Sequence, residues 1–220
     1  MHLPGIAVFM QALLLPGTHK PGDPQETRKP PYWPYTFSVQ FAELQIKNSR
    51  LYSQNKGAWY YDYVRKQARF DHLLGQKNNF CQHQGLSDDN PQGTCHLIFS
   101  RDLSLYVHYP EAGTCCRLCG VEEGCSVLRP DWLKGSTPIG TEVISGTVCY
   151  GWTTPGAVAN DTWFATEDNV PCLYHEVVGP VDHTLTFDMD TYTEAEPNDH
   201  IFQVPDHCYK DCPNPFTSPF

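Results

Sequence analysis

The chain has 220 residues, of which 40% are hydrophobic and 18% charged, with 19 Pro, 16 Gly and 13% aromatic residues. A chain this long buries roughly 70% of the area it exposes unfolded, so a single domain with a real core is expected and bulk disorder is excluded. Fifteen Lys and Arg against 25 Asp and Glu leave a net charge of −10, which argues against a nucleic-acid partner, since phosphate binding needs a basic surface.

Residues 1–17 contain an apolar run, Ile6 to Leu15, of signal-peptide length, interrupted by Gln11 and preceded only by His2 as a side-chain cation. Residues 18–34 carry Pro21, Pro24, Pro30, Pro31 and Pro34 with little to bury before Tyr32 and Trp33, the composition of a linker or arm. A β domain is expected over residues 35–212, with a tail at 213–220. Phe37, Val39 and Phe41 alternate with polar neighbours. The pattern resumes at Leu44 and Ile46 after a phase change at Glu43, which predicts a strand with a bulge there. Trp59, Tyr61 and Tyr63 share one parity and Ala68 and Phe70 follow, so Ala58 to Asp71 reads as a strand or hairpin ended by Gly75. Cys95 to Phe99 and Leu103 to Tyr109 form the next pair, with Leu103, Leu105 and Val107 on one face. Pro130 to Gly135 has the punctuation of a single helical turn closed by glycine. Thr141 to Tyr150, Thr162 to Thr166, Pro171 to Val178, His183 to Tyr192 and His200 to Val204 complete the predicted strands. The fold class is therefore mainly β, a single antiparallel domain with minor helix.

The ten cysteines point to an oxidising compartment and a disulfide-stapled protein, and Asn160-Asp161-Thr162 supplies a glycosylation acceptor at Asn160. The expected localisation is extracellular or within the secretory pathway, including a lysosome- or vacuole-like compartment. Cys81, Cys95, Cys149, Cys172, Cys208 and Cys212 are spread along the chain, while Cys115, Cys116, Cys119 and Cys125 cluster. Cys115 and Cys116 are too close to bond each other, so they should take different partners and knot separate segments. Zinc at Cys116 and Cys119 is the lesser alternative.

The familiar catalytic signatures are missing: no Gly-x-Ser-x-Gly elbow, phosphate loop or dinucleotide fingerprint is present. His175-Glu176-Val177-Val178-Gly179 begins like a zinc-protease helix but has glycine in place of the second histidine. Cys95 and His96 are strand neighbours that point to opposite faces, which disfavours a nucleophile pair. Asp188 and Asp190 share a strand face and are candidate calcium ligands; the alternative is a solvated acidic edge. The apolar strand faces are either core or the lining of a cavity, since a curved sheet that does not close can hold a ligand.

Several spacings resemble the ependymin-related family of secreted and lysosomal glycoproteins. Tyr61-Asp62 followed by Arg69 and Asp71 is similar to its early hairpin, and His183 to Tyr192 followed by Phe202-x-Val204-Pro205-x-x-Cys208 is similar to its closing strand and ending. The resemblance implies a curved antiparallel half barrel like that of bacterial lipoprotein carriers. It also implies a deep apolar pocket, dimerisation, lipid or ganglioside binding, calcium-sensitive association with matrix or membrane surfaces, and no catalysis. The cluster Cys115 to Cys125 and the Pro130 to Gly135 turn depart from it. The candidate pocket lining is then Phe37, Val39, Phe41, Trp59, Tyr61, Tyr63, Leu105, Val107, Trp163, Leu185 and Phe187. The expected function is a non-enzymatic carrier or binder of a lipid or other hydrophobic molecule, able to form a homodimer, with no required cofactor. The alternatives are a calcium-dependent (Ca2+) adhesion or matrix protein and an extracellular glycan or ester hydrolase using carboxylates such as Asp188 and Glu176.

Overall fold

The structure is a computed structural model that describes residues 28–73, 93–156, 159–208 and 210–213. The expected leader, most of the arm, Gly75, Cys81 and nearly all of the tail lie outside the described residues. Eleven strands form one antiparallel sheet: β1 Thr36–Lys47, β2 Arg50–Asp62, β3 Gln67–His72, β4 Cys95–Phe99, β5 Ser104–Tyr109, β6 Thr114–Gly120, β7 Thr137–Ile144, β8 Thr147–Pro155, β9 Asn160–Ala165, β10 Pro171–Val178 and β11 Val181–Thr193. Their spatial order is β6-β5-β4-β3-β2-β1-β11-β10-β9-β8-β7. The first and last strands pair at the centre, and two runs of hairpins lead outward from them. The mainly β, curved and unclosed class expected from the sequence is what the chain adopts, and among the described residues helix is limited to two 3-10 turns, Val121–Glu123 and Asp199–Phe202.

This order has a topological consequence. Strands β6 and β7 are consecutive in the chain yet lie at opposite edges of the sheet, so the segment 121–136 must cross from one edge to the other. Sixteen residues span at most about 55 Å, enough to bridge a curved sheet of eleven strands spaced roughly 4.8 Å apart. This strap carries Leu133, which is fully buried, and Trp132, which packs on the core.

Tight turns set the hairpins. Asn48 and Ser49 join β1 to β2, and Ser145 and Gly146 join β7 to β8, all four with positive φ, as two-residue turns matched to strand twist require. The second turn divides what the sequence suggested was one strand from Thr141 to Tyr150. The bulge expected at Glu43 is absent: β1 alternates without interruption, with Glu43 and Gln45 buried and Leu44 exposed. Its register shifts lie between Ser38 and Gln40 against β11 and between Gln45 and Ile46 against β2. Leu103 is an exposed turn residue with φ 61° and does not share a strand face with Leu105 and Val107. Pro130 to Gly135 forms successive turns closed by Gly135 at φ 85° and no helix, with the Trp132 N–H donating to the Arg129 carbonyl and the Lys134 N–H to that of Asp131. The expected strand at His200 is the 3-10 turn Asp199–Phe202, opened by the Asn198 side chain accepting from the His200 N–H.

Cys115, Cys116 and Cys119 of the cysteine cluster lie on β6, a strand not expected from the sequence, and Cys125 lies in the strap that follows. Cys115 bonds Cys208 and Cys116 bonds Cys212. Because neighbours on a strand face opposite ways, the C-terminal segment is clipped to both faces of this edge strand. The Arg117 N–H donates to the Lys210 carbonyl and the Cys212 N–H to that of Arg117, each at 2.8 Å, so the open edge of β6 is partly capped by backbone. Cys119 bonds Cys125 locally, and Cys149 bonds Cys172 beyond the end of β9, joining β8 to β10. Cys95 is also disulfide-bonded, and none of the described cysteines is a free thiol, so Cys116 and Cys119 are not zinc ligands here.

Candidate functional site: the concave face

Strand parity places alternate residues of the central strands on one face, and that face changes character along its length. On β1 it runs Phe37, Val39, Phe41, Glu43, Gln45; on β2, Tyr61, Trp59, Gly57, Asn55, Ser53; on β11, Phe187, Leu185, His183. β3 contributes Phe70 and then His72, and β10 contributes Tyr174 and then Glu176. At the antiparallel registers these switches from apolar to polar step diagonally across the sheet, one side-chain pair earlier on β3 (His72 level with Phe41) and one later on β11 and β10 (Leu185 opposite Glu43), so one end of the face is aromatic and the other is polar. From Phe37 to Gln45, at about 3.4 Å per residue, the gradient extends roughly 27 Å.

The aromatic end is the main core. Phe37, Trp59, Tyr61, Trp163 and Phe187 gather there with Val39, Phe41, Leu185 and, partly buried, Tyr63. Nine of the expected lining residues thus lie together, whereas Leu105 and Val107 belong to a second cluster sealed by Cys116, Cys119 and Cys212. Two segments from outside the sheet fill the hollow. Trp33, from the arm, touches Phe37, Trp59, Tyr61, Trp132 and Trp163 with ring centroids 5.0–5.6 Å away. The Trp33 backbone N–H donates to the Pro130 carbonyl at 2.9 Å, linking arm to strap. The Tyr61 hydroxyl donates to the Leu128 carbonyl of the strap at 2.8 Å, and burial raises its pKa. Arg28 pins the described part of the arm, 3.8 Å over the Tyr150 ring and 2.8 Å from Glu167. Gly57 is required where it stands: a Cβ there would meet the Phe41 ring at 2.5 Å and the Asp71 carbonyl at 2.0 Å.

The indole N–H groups of Trp33, Trp59, Trp132, Trp152 and Trp163 are buried without a hydrogen-bond acceptor. Each such group costs about 1–3 kcal/mol, and N–H···π contacts with neighbouring rings return only part of that. A protein whose whole stability is of order 5–15 kcal/mol therefore has reason to supply acceptors from water or a bound molecule.

The polar end is a hydrogen-bonded network. His183 lies between two carboxylates, with Nε2 2.9 Å from Glu43 Oε1 and Nδ1 2.9 Å from Glu176 Oε1. Burial alone lowers the imidazole pKa, but hydrogen bonds to Glu176 and Glu43 and their charges more than offset it, raising it to about 9. Burial pushes the Glu43 carboxyl up, yet the His183 bond, the charges of His72 and His183 and the Asn55 bond win, and it lies below the ordinary range. His72, 3.9 Å from Glu43, is shifted down by burial against the opposing pull of Glu43. Gln45 Nε2 donates to Glu43 Oε1 at 3.1 Å and Asn55 Nδ2 donates to Glu43 Oε2. The Tyr174 hydroxyl donates to Asp161 at 2.8 Å; burial, then the charges of Glu176 and Asp161, raise its pKa.

Of this network the sequence reading had singled out only Glu176, as half of a hydrolytic pair with Asp188. Those two cannot flank one substrate, because Glu176 binds His183 on the concave side while Asp188 lies exposed on the other. Asp190 is likewise exposed; its N–H donates to Asp188 Oδ1 at 3.3 Å. Among the described residues, Cys115, His207 and Cys208 are the group of three with ligand atoms within 4.8 Å of one another, and the two cysteines are bonded together. Asn160 is exposed at the start of β9. Of the motif residues, Asp62 is buried and ion-paired with Arg65 at 2.5 Å, Arg69 pairs with Asp71, and Phe202 is buried.

Among solved structures, the fold is similar to an uncharacterised conserved protein of Thermus thermophilus, at 6% identity and TM-score 0.49 over 80% of this chain and 90% of that one. It is also similar to lipoprotein LppX of Mycobacterium tuberculosis, at 15% identity and TM-score 0.40 over 73% and 88%. A LolA superfamily protein of Nitrosomonas europaea matches at 9% identity and TM-score 0.36 over 82% and 91%. None of these likenesses bears on a ligand. Among proteins with curated descriptions, none matches the sequence. One family model does match, over residues 32–208 and so most of the sheet, and the chain belongs to that family, described as a domain of unknown function, DUF8395.

Proposed function

We propose that the protein is a non-enzymatic binding protein of an oxidising, extracytosolic compartment that holds a single amphiphilic lipid along the concave face of its half barrel. The observation that carries this reading is the change from aromatic to polar side chains in the same direction along β1, β2, β3, β10 and β11, staggered by one side-chain pair from strand to strand, on a face about 27 Å long, which matches a long apolar chain with a polar head. In this reading the aromatic end is closed by Trp33 of the arm and Trp132 of the strap in the free state. Ligand entry displaces those two side chains, whose segments are held by a few hydrogen bonds and not by the sheet ladder. Binding by area burial is worth about 25 cal/mol per Å², the same term that holds the two indoles in place, so the exchange is nearly balanced. The ependymin-related resemblance implies the same class of ligand, and that kinship is proposed on its motifs alone.

The test is native mass spectrometry of protein made through a secretory pathway, before and after organic extraction, followed by thermal melts with excess long-chain alcohol. A lipid-sized 1:1 adduct lost on extraction, with a raised Tm on re-addition through linkage, is expected. A bare protein whose Tm ignores the alcohol would refute the reading.

A further inference from the structure

The orientation of two buried amides specifies the head group. Gln45 and Asn55 are 2% and 4% exposed, and both turn their NH2 groups to Glu43. Reversing either amide would set its oxygen against a carboxylate oxygen, so the orientation is fixed by electrostatics. Both carbonyl oxygens, Gln45 Oε1 and Asn55 Oδ1, are thereby turned away from Glu43, and both are buried without a partner. Two orphaned acceptors call for hydrogen-bond donors, and a carboxylate or phosphodiester head group brings none.

The charges around them add a sign. Among the described residues, the titratable groups of this end are Glu43 on β1, His72 on β3, Asp161 on β9, Tyr174 and Glu176 on β10, and His183 on β11. One imidazolium stands between two carboxylates, and among the described residues neither Glu43 nor Glu176 is paired with a lysine or arginine. The end therefore carries more carboxylate than cationic charge, and uncompensated charge at such depth is costly.

Building on the amphiphile reading above, we propose that the polar end of the concave face takes a primary ammonium group, so that the ligand is a long-chain amine. Its N–H groups donate to Gln45 Oε1 and Asn55 Oδ1, its charge is balanced by Glu43 and Glu176, and its chain runs toward Trp59 and Phe187. An alcohol supplies one donor without charge, a carboxylate supplies repulsion, and a quaternary ammonium supplies charge without donors.

The experiment is a set of titrations of the full chain at pH 7, followed by tryptophan fluorescence, with hexadecylamine, hexadecanol, hexadecanoate and hexadecyltrimethylammonium. Hexadecylamine should bind about tenfold or more tighter than hexadecanol and the quaternary salt, and about a hundredfold tighter than hexadecanoate. Gln45→Met should weaken hexadecylamine about tenfold and hexadecanol less, so that the preference for amine over alcohol shrinks. Should that variant fail to fold, the comparison on the natural chain still decides. Equal affinity for primary and quaternary ammonium would overturn the donor argument, since the overall charge of −10 attracts both. Equal or stronger binding of hexadecanoate would overturn the head-group assignment and leave the amphiphile reading standing. Binding of none of the four would overturn both.

Discussion

At the scale of single residues, the polar end of the concave face couples stability to pH. The His183 pKa is about 9 in the folded chain against roughly 6.5 unfolded. Its contribution is therefore complete below pH ~6.5 and is lost as pH rises through about 9, a loss on the order of 1–3 kcal/mol. His72, His96 and His108 are shifted the other way by burial, His96 to about 4, so their contributions fail on the acid side. Urea midpoints measured from pH 6 to 9.5 should fall toward the alkaline end for the natural chain. For His183→Gln they should be lower at pH 7 and flat thereafter; a flat profile for the natural chain would contradict the buried His183–carboxylate bridge. Trp33 gives a second residue-level outcome. Trp33→Ala should cost the free protein about 3–5 kcal/mol in urea unfolding yet tighten amphiphile binding, because the competitor for the hollow is gone. Weaker binding by this variant would show that Trp33 belongs to the ligand's contact surface. The polar network was the least legible part of the sequence: hydrophobicity made Leu44 and Ile46 the inward residues of β1, whereas Glu43 and Gln45 are the buried ones. A buried polar residue satisfied by partners more than a hundred positions away leaves no trace in local patterning.

At the scale of elements, the disulfides differ in what they restrain. Cys115–Cys208 and Cys116–Cys212 close loops of 93 and 96 residues, while Cys119–Cys125 closes one of 6 and Cys149–Cys172 one of 23. Chain entropy ranks their removal at about 4–5, 2 and 3 kcal/mol in that order. Double-alanine variants in urea unfolding should follow this ranking, and a larger loss for Cys119–Cys125 than for Cys116–Cys212 would contradict it. The strand Pro171 to Val178 was legible to the residue, and the alternation of Phe37, Val39 and Phe41 is period-two burial written directly into the sequence. Two kinds of element were not. The turn at Ser145-Gly146 interrupts a run whose flanks, Val143 and Val148, keep strand composition through it. β6 is so rich in cysteine that covalent chemistry hid its pairing with β5.

At the scale of the whole molecule, function follows from an unclosed sheet whose edges are joined by a strap and not by pairing. Periodicity could not reveal that β1 pairs with β11, a contact between residues some 140 positions apart, nor that segment 121–136 must therefore cross the hollow. The aromatic convergence was legible as a shared parity of Trp59 and Tyr61, but Trp33 and Trp132 as its plugs were not, since they lie in segments with no regular pattern. The central claim is that an amphiphile displaces these plugs and lies against the remaining tryptophans. The most direct test is quenching of tryptophan emission by a long-chain amphiphile brominated along its chain, with the unbrominated compound as control. Saturable quenching at one molecule per chain, removing the emission of Trp59 and Trp163, is the predicted result, because these two sheet tryptophans lie against each other and against Phe187. Emission left intact while mass spectrometry shows the brominated molecule bound would place the ligand elsewhere and contradict the account.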